Sequence, residues 1–323
     1  MPLHDVGYRR WTGRRTFPWG RWWVLALVGI QLVWRGTWLK RTLVLTWLPA
    51  VAAAAGFFLY EQSITQPELR RGLADFTRIV GQDRAIRDLV MEEPEAARHQ
   101  VWSILLLAFF RYPQALVMAL IVGLIAPRLI AYDVRTRAYL LLFSRPIGVN
   151  EYVLGKLCVV WFYLAIITTV PALVLYLIGV FLSPDLGVVS QTWDLPLRVL
   201  AASVWLIVPT SLVALAFSSL TIDSRYAAFA WFAMWVLGWA AYSILTLVQI
   251  SVQGGPMRRR RWSADAAHWE FLSPYHILGR VQQWCFGLLP EQQSVGPYLI
   301  GLVLVSLLAW MVVRRRMRQV STA

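Results

Sequence analysis

Six long apolar blocks constrain this sequence more than any other feature. Each has about 20 residues, which as an α-helix would span the roughly 30 Å hydrocarbon core of a bilayer. Across the chain 58% of residues are hydrophobic and only 15% are charged, whereas a soluble domain is usually about 25% charged. The pattern predicts an all-α membrane protein with six transmembrane helices. The predicted spans are 42–60, 101–126, 157–182, 197–220, 226–250 and 297–313.

The first 41 residues form a basic stretch with one apolar run inside it. That run, Trp22–Trp34, has 13 residues, which is too few to cross a bilayer. Tryptophans within it and arginines beside both ends are typical of a helix that lies in the membrane interface. We therefore predict an N-terminal interfacial helix, with a distorted first span as the alternative.

The distribution of charge predicts an orientation. With the N-terminus inside, the inner segments hold 18 Lys and Arg and four acidic residues, as the positive-inside rule requires. The connector 127–156 and both termini then lie in the cytoplasm, and two enlarged segments, 61–100 and 251–296, are extracytoplasmic. The basic tract Arg258–Arg261 departs from this rule. We predict one transmembrane domain over residues 1–323.

Arg111 interrupts the second predicted span. An Arg at the bilayer centre costs roughly 3 kcal/mol or more, and Pro113 follows two residues later. Either the membrane-crossing part begins near Pro113 and the apolar stretch before it lies at the outer surface, or Arg111 faces a wet cavity. We favour the first interpretation.

The formal net charge of +14 limits the kinds of binding partner that can be expected. On a soluble protein it would suggest nucleic acid. Here the cations flank apolar blocks, so membrane topology and anionic membrane lipids explain them, and no nucleic-acid partner is expected. Cys158 and Cys285 fall in different segments and are not expected to pair.

The sequence offers no nucleotide-binding loop. Between Gly148 and Gly155 there are six residues, and Leu157 follows Lys156, whereas a phosphate loop has four residues between its glycines and Ser or Thr after the Lys. No acidic residue falls within the predicted spans, which disfavours a proton relay. We therefore expect no enzyme activity in this chain, and energy for any transport must come from another subunit.

Histidines give little support for a metal or catalytic site. The four of them are never at the i, i+4 spacing of a zinc helix. His268 and His276 share an outer segment with Asp265 and Glu270, so a site there is an alternative to ordinary loop polarity. We predict no metal site.

The connector 127–156 is the strongest candidate for function. Charges of opposite sign alternate around Asp133 and Arg135, and the Ser-Arg-Pro run at 144–146 can end one helix and start another. A short charged helix between two spans can act as a lever, because a push on it moves both spans. The alternative is an ordinary inner loop held by lipid headgroups.

The connector resembles the inner loop of the ABC type 2 transporter permeases. The resemblance rests on LIAYDVR at 129–135, FSRP at 143–146 and EYVLGK at 151–156. The layout of an N-terminal interfacial helix, six spans and an enlarged outer segment before the last span is also similar. Gly148 and Arg137 depart from the family pattern, and the segment 61–100 is larger than in minimal members.

The resemblance implies the permease subunit of an ATP-driven ABC exporter in the inner membrane of a prokaryote. ATP and Mg²⁺ would bind a separate soluble ATP-binding subunit, and a second permease copy, identical or a close paralogue, would complete the pathway. The alternative is a non-transporting membrane scaffold or assembly factor that acts through its extracytoplasmic segments. The substrate is not indicated. The residues that the resemblance assigns to ATPase coupling are Asp133, Arg135, Arg145, Pro146, Glu151, Gly155 and Lys156.

Overall fold

The computed structural model describes residues 20–66, 69–75, 84–144, 147–185, 187–253, 269–290 and 293–322. Within these ranges the chain is folded into helices and has no β-strand, which confirms the predicted all-α membrane fold. Six helical stretches in this part of the chain are long and apolar enough to cross a membrane. They are Lys40–Ile64, Arg98–Arg135, Val149–Leu182, Val188–Leu220, Ser224–Gln249 and Gly296–Val320.

The helices continue further than the apolar blocks of the sequence. Hydropathy marks where the apolar surface ends, whereas backbone hydrogen bonds carry each helix on into polar residues. In chain order the helices are α1 (Arg21–Trp34), α2 (Thr37–Leu45), α3 (Leu48–Thr65), α4 (Arg84–Glu92), α5 (Arg98–Arg111), α6 (Pro113–Arg135), α7 (Ala138–Phe143), α8 (Val149–Leu164), a π-helical turn (Ala165–Thr169), α9 (Val170–Leu182), α10 (Val188–Thr192), α11 (Leu195–Leu220), α12 (Ser224–Gln253), α13 (Pro274–Cys285) and α14 (Gly296–Thr322).

Two apolar clusters form the core. The first is built mainly from α6, α8, α11 and α14, and the second mainly from α3, α5, α9 and the start of α11. By contrast, α12 and α14 expose large apolar side chains along most of their length, among them Phe229, Leu237 and Leu304. Exposed apolar surface of this extent is expected where helices face lipid.

The helix of the second span is interrupted at the position that the sequence indicated. α5 ends at Arg111 and α6 begins at Pro113, with Tyr112 between them. α5 is enclosed by protein, because ten of its residues are buried and it packs against α3 and α9. The apolar stretch before Pro113 is therefore a helix that is buried by the surrounding protein.

Helix α1 packs lengthwise along α8. A Cβ on Gly155 would lie 2.9 Å from the Cβ of Leu25, so only a glycine permits this approach. Further along both helices, the hydroxyl of Tyr163 donates a hydrogen bond to the carbonyl of Ile30 (2.9 Å), and the Tyr163 ring stacks on Trp34. Movement of α1 would thus be transmitted to the start of the third span.

Pro127 lies inside α6 and has no backbone N–H to donate. Ser218 of α11 stabilises the helix at this point. Its buried hydroxyl donates to the carbonyl of Pro127 (3.0 Å) and accepts from the backbone N–H groups of Ile130 (3.2 Å) and Ala131 (3.0 Å). The contact joins α6 to α11 at a buried position, where an unsatisfied backbone group would be costly.

We predict that Ser218→Ala lowers the stability of the protein by about 1 kcal/mol, a magnitude typical of a hydrogen bond between membrane helices. The comparison is Ser219→Ala, because Ser219 is equally buried but donates only within its own helix, to Ala216. Thermal unfolding in detergent measures both. Equal losses in the two variants would contradict an interhelical role for Ser218.

Candidate functional site

Asp133 and Lys156 tie together the two helices that flank the connector. The Lys156 Nζ lies 2.7 Å from Asp133 Oδ2, and the hydroxyl of Tyr152 donates to the same oxygen at 2.7 Å. The side chains of Asp133 and Lys156 are only 14% and 16% exposed. Asp133 stands near the end of α6, and Tyr152 and Lys156 stand near the start of α8. The three residues therefore fix the distance between the two ends of the connector.

Glu151 stabilises the start of α8. Its Oε2 accepts a hydrogen bond from the backbone N–H of Gly148 at 2.9 Å, which is half of a capping box. The other half cannot form, because Gly148 has no side-chain acceptor. Residues from Val149 through Lys156 are helical, so the glycine–lysine string at this position is a helix start and not a phosphate loop.

Arg135 is on the surface. Its guanidinium lies 3.8 Å from Asp223 in the turn between α11 and α12, with side-chain exposures of 63% and 37%. A long, exposed pair of this kind contributes little to stability. Arg135 is thus available to a partner.

Helix α7 presents an apolar surface between two helix ends. Leu140 is 54% exposed and Leu141 is 76% exposed. On its other side, Leu142 and Phe143 pack on the first apolar cluster, and the Phe143 ring lies 5.6 Å from the Tyr152 ring. Leu142 and Phe143 therefore hold α7 against the core, while Leu140 and Leu141 remain exposed among the residues that the structure describes.

The predicted coupling residues lie in different environments in the structure. Asp133, Gly155 and Lys156 lie within the packed part of the protein, Glu151 caps a helix, and Arg135 is exposed. Arg145 and Pro146 lie outside the described residues. The sequence interpretation missed Leu140 and Leu141. The signal that marks them is a run of three leucines inside an otherwise charged connector.

A second polar cluster is formed by described residues of the last outer segment and of α14. Arg280 holds Glu270 with two hydrogen bonds (2.8 Å and 2.6 Å), and Tyr298 donates a third to the same carboxylate (2.8 Å). Burial by itself would raise the pKa of Glu270, but the hydrogen bonds from Arg280 outweigh it, and the pKa lies below its ordinary value. This cluster links α13 to the start of α14.

Arg111 belongs to the same region. Its guanidinium carbon lies 5.3 Å from the centre of the Tyr275 ring, and its Nη1 presses against Gly279. The ring of the neighbouring His276 lies against the Tyr242 ring at a tilt of 32°, with ring centres 3.6 Å apart. Burial, and then the positive charge of Arg111, lower the pKa of His276 to about 4.

This cluster does not resemble a metal centre. Glu270 is already occupied by Arg280 and Tyr298, and the residues that the structure describes contain no group of three or more His, Cys, Asp or Glu that could hold a metal ion. His268 and Asp265 lie outside the described residues. Cys158 in α8 and Cys285 at the end of α13 are both free thiols.

We predict that protonation of His276 in acid lowers the stability of the protein at this outer cluster. The unfolded imidazole has a pKa of 6.5 and the folded one about 4, so the unfolded chain binds the proton more readily. Stability is full above pH 6.5 and falls as the pH drops toward 4. The apparent melting temperature in detergent should be a few degrees lower at pH 5 than at pH 7.

His276→Phe is the matched control, since it keeps an aromatic ring against Tyr242 and removes the titration. Glu270, Arg280 and Arg111 also face this histidine, and Glu270 titrates at lower pH. An unchanged pH dependence between 6.5 and 5 in the Phe variant would contradict the role of His276.

The helices and their braced connector define a multi-pass α-helical membrane protein. The family model for the ABC-2 family transporter protein matches residues 36–314, which is most of the chain. The chain therefore belongs to the ABC-2 family of transporter proteins, and it is a permease, the membrane transport component of an ABC transporter. A search of curated proteins finds no match.

Proposed function

We propose that this permease exports its substrate across the inner membrane of a prokaryote, driven by a soluble ATP-binding subunit that docks on α7. The observation that carries the proposal is the surface of α7. Leu140 and Leu141 are exposed, while the helix itself is attached to both neighbouring spans. An apolar surface between charged residues suits a protein partner better than water.

The contacts around α7 can transmit a movement of α7 to the neighbouring spans. The bond between Asp133 and Lys156 connects the ends of α6 and α8, so a push on α7 moves the second and third spans together. α1 follows α8 through the close contact at Gly155. In this proposal Asp133, Gly155 and Lys156 position the docking helix, and Leu140, Leu141 and Arg135 meet the partner, together with Arg145 and Pro146 of the same connector.

Two permease copies would form the pathway. α12 and α14 leave most of their apolar surface uncovered by this chain, which is sufficient for lipid and for a second copy, identical or closely related. ATP and Mg²⁺ would bind the ATP-binding subunit. The termini would lie in the cytoplasm, as the excess of Lys and Arg in the inner segments indicates.

The test is Leu141→Glu. We expect this variant to insert in the membrane normally and to lose its ATP-binding subunit on gentle purification, because a carboxylate would be buried in the docking surface. Leu272→Glu is the control, since Leu272 is also exposed (47%) but lies in the outer segment. Full recovery of the ATP-binding subunit with Leu141→Glu would overturn the docking site.

A further inference from the structure

An apolar groove of about 830 Å³ opens on the side of the first membrane helix. Its floor is α3, its wall is α5, and the helical segment 69–75 closes one end. Three alanines and a glycine of α3 leave the space, because they have almost no side chain. Among the lining residues that the structure describes, Tyr112 carries the only polar side chain. These small lining residues are Ala52, Ala53, Ala55 and Gly56.

The groove faces the hydrocarbon of the membrane. It lies along the candidate span Lys40–Ile64, and its rim includes Leu48 (59% exposed) and Leu59 (42% exposed). From Leu48 to Leu59 the helix rises about 16 Å. That length is close to half of the roughly 30 Å hydrocarbon core, which is the depth that one lipid chain covers.

A cation stands at one end of the groove. Arg41 belongs to α2, the helix directly before α3, whose first residues Leu48 and Pro49 line the groove. Arg41 is exposed and forms no ion pair with any residue that the structure describes. Leu48, the first residue that lines the groove, follows Arg41 by seven residues. The apolar groove therefore has a cation near the end at which α3 begins.

We propose that the groove binds one acyl chain of an anionic phospholipid, with the phosphate of its headgroup at Arg41. The apolar wall selects the hydrocarbon chain, and the guanidinium selects the phosphate. The segment 69–75 closes the far end, where the side chain of Arg70 donates to the last carbonyls of α3, those of Ser63 and Ile64. The lipid would fill the space between the first and second spans.

The experiment uses the full chain in nanodiscs and a phosphatidylglycerol with a photoactivatable acyl chain. Phosphatidylcholine with the same chain is the uncharged comparison. After illumination, mass spectrometry of peptides locates the adducts. We expect adducts on α3 and α5, at least threefold more with phosphatidylglycerol.

Two matched pairs of variants separate the groove from the general lipid surface. Ala52→Trp fills the groove and should reduce the adducts at least fivefold, whereas Val51→Trp, at a neighbouring lipid-facing position (66% exposed), should not. Arg41→Gln should abolish the preference for phosphatidylglycerol, and Lys40→Gln, on a different face, should retain it. If Ala52→Trp does not fold, the pair at positions 41 and 40 decides.

Three results would overturn the proposal. Equal adducts in the two Trp variants would mean that lipid merely covers the surface. Equal labelling by the two phospholipids in the wild type would remove the role of Arg41. Photo-adducts from α3 that join two copies of this chain, with none to lipid, would assign the groove to a protein interface.

Discussion

Replacement of Asp133 by Ala is expected to destabilise the protein by about 3 kcal/mol, the lower end of the range for a broken buried ion pair. The cause is Lys156, which would remain charged and largely buried without its partner. Tyr152 would also lose the acceptor of its hydrogen bond. A clear drop in the apparent melting temperature in detergent measures the loss.

Two comparisons make this prediction specific. Arg135→Ala breaks only an exposed pair with Asp223 and should change stability by less than about 1 kcal/mol. The double variant Asp133→Val with Lys156→Met should recover most of the loss, because a buried pair can often be replaced by apolar side chains. If Asp133→Ala proves as mild as Arg135→Ala, the pair does not brace the connector.

Replacement of Gly155 by Leu is expected to detach α1 from α8. A Cβ at this position would lie 2.9 Å from the Cβ of Leu25 and 3.0 Å from the backbone oxygen of Trp22. Backbone cannot yield as a flexible side chain can, so the helices must separate, at a cost of about 1–3 kcal/mol. Gly301→Ala is the control, because a Cβ there would meet its nearest neighbour at an ordinary 3.7 Å.

A disulfide reports the separation directly. A Cβ on Gly29 would lie 3.9 Å from the Cβ of Val159, which is within the range for a disulfide. In a background with Cys158→Ala and Cys285→Ala, the pair Gly29→Cys and Val159→Cys should oxidise readily. Adding Gly155→Leu should suppress the bond, and adding Gly301→Ala should not. Undiminished oxidation with Gly155→Leu would show that α1 stays in place.

The fold was largely predictable from the sequence because hydropathy acts over whole helices. Blocks of about 20 apolar residues have few solutions other than membrane helices. The interruption at Arg111 was visible for the same reason, since a charge followed by Pro113 is incompatible with a continuous apolar helix. The burial of α5 could not be predicted, because apolar residues that face protein and those that face lipid look alike in a sequence.

The site was predictable only in part. The charged connector and its match to a family loop drew attention to Asp133 and Lys156, but their pairing joins residues 23 positions apart. That contact depends on how α6 and α8 pack, and no local pattern encodes it. The role of Gly155 can be recognised only once the position of α1 is known. The exposure of Leu141 likewise follows only from the packing of Phe143. The outer cluster around Glu270 depends on contacts of the segment before α13 with α13 and α14, and it has no spacing signature.

The most direct test of the coupling site is photo-crosslinking from position 141. A photoreactive phenylalanine at Leu141, in the full chain in its native membrane, should form an adduct with a soluble subunit that carries a phosphate-binding loop. The same group at Leu272, in the outer segment, should not form that adduct. We predict this adduct, and we predict that Asp133→Ala weakens it because α7 loses its brace. Adducts from position 141 with lipid alone would contradict the proposal that α7 is where the ATP-binding subunit docks.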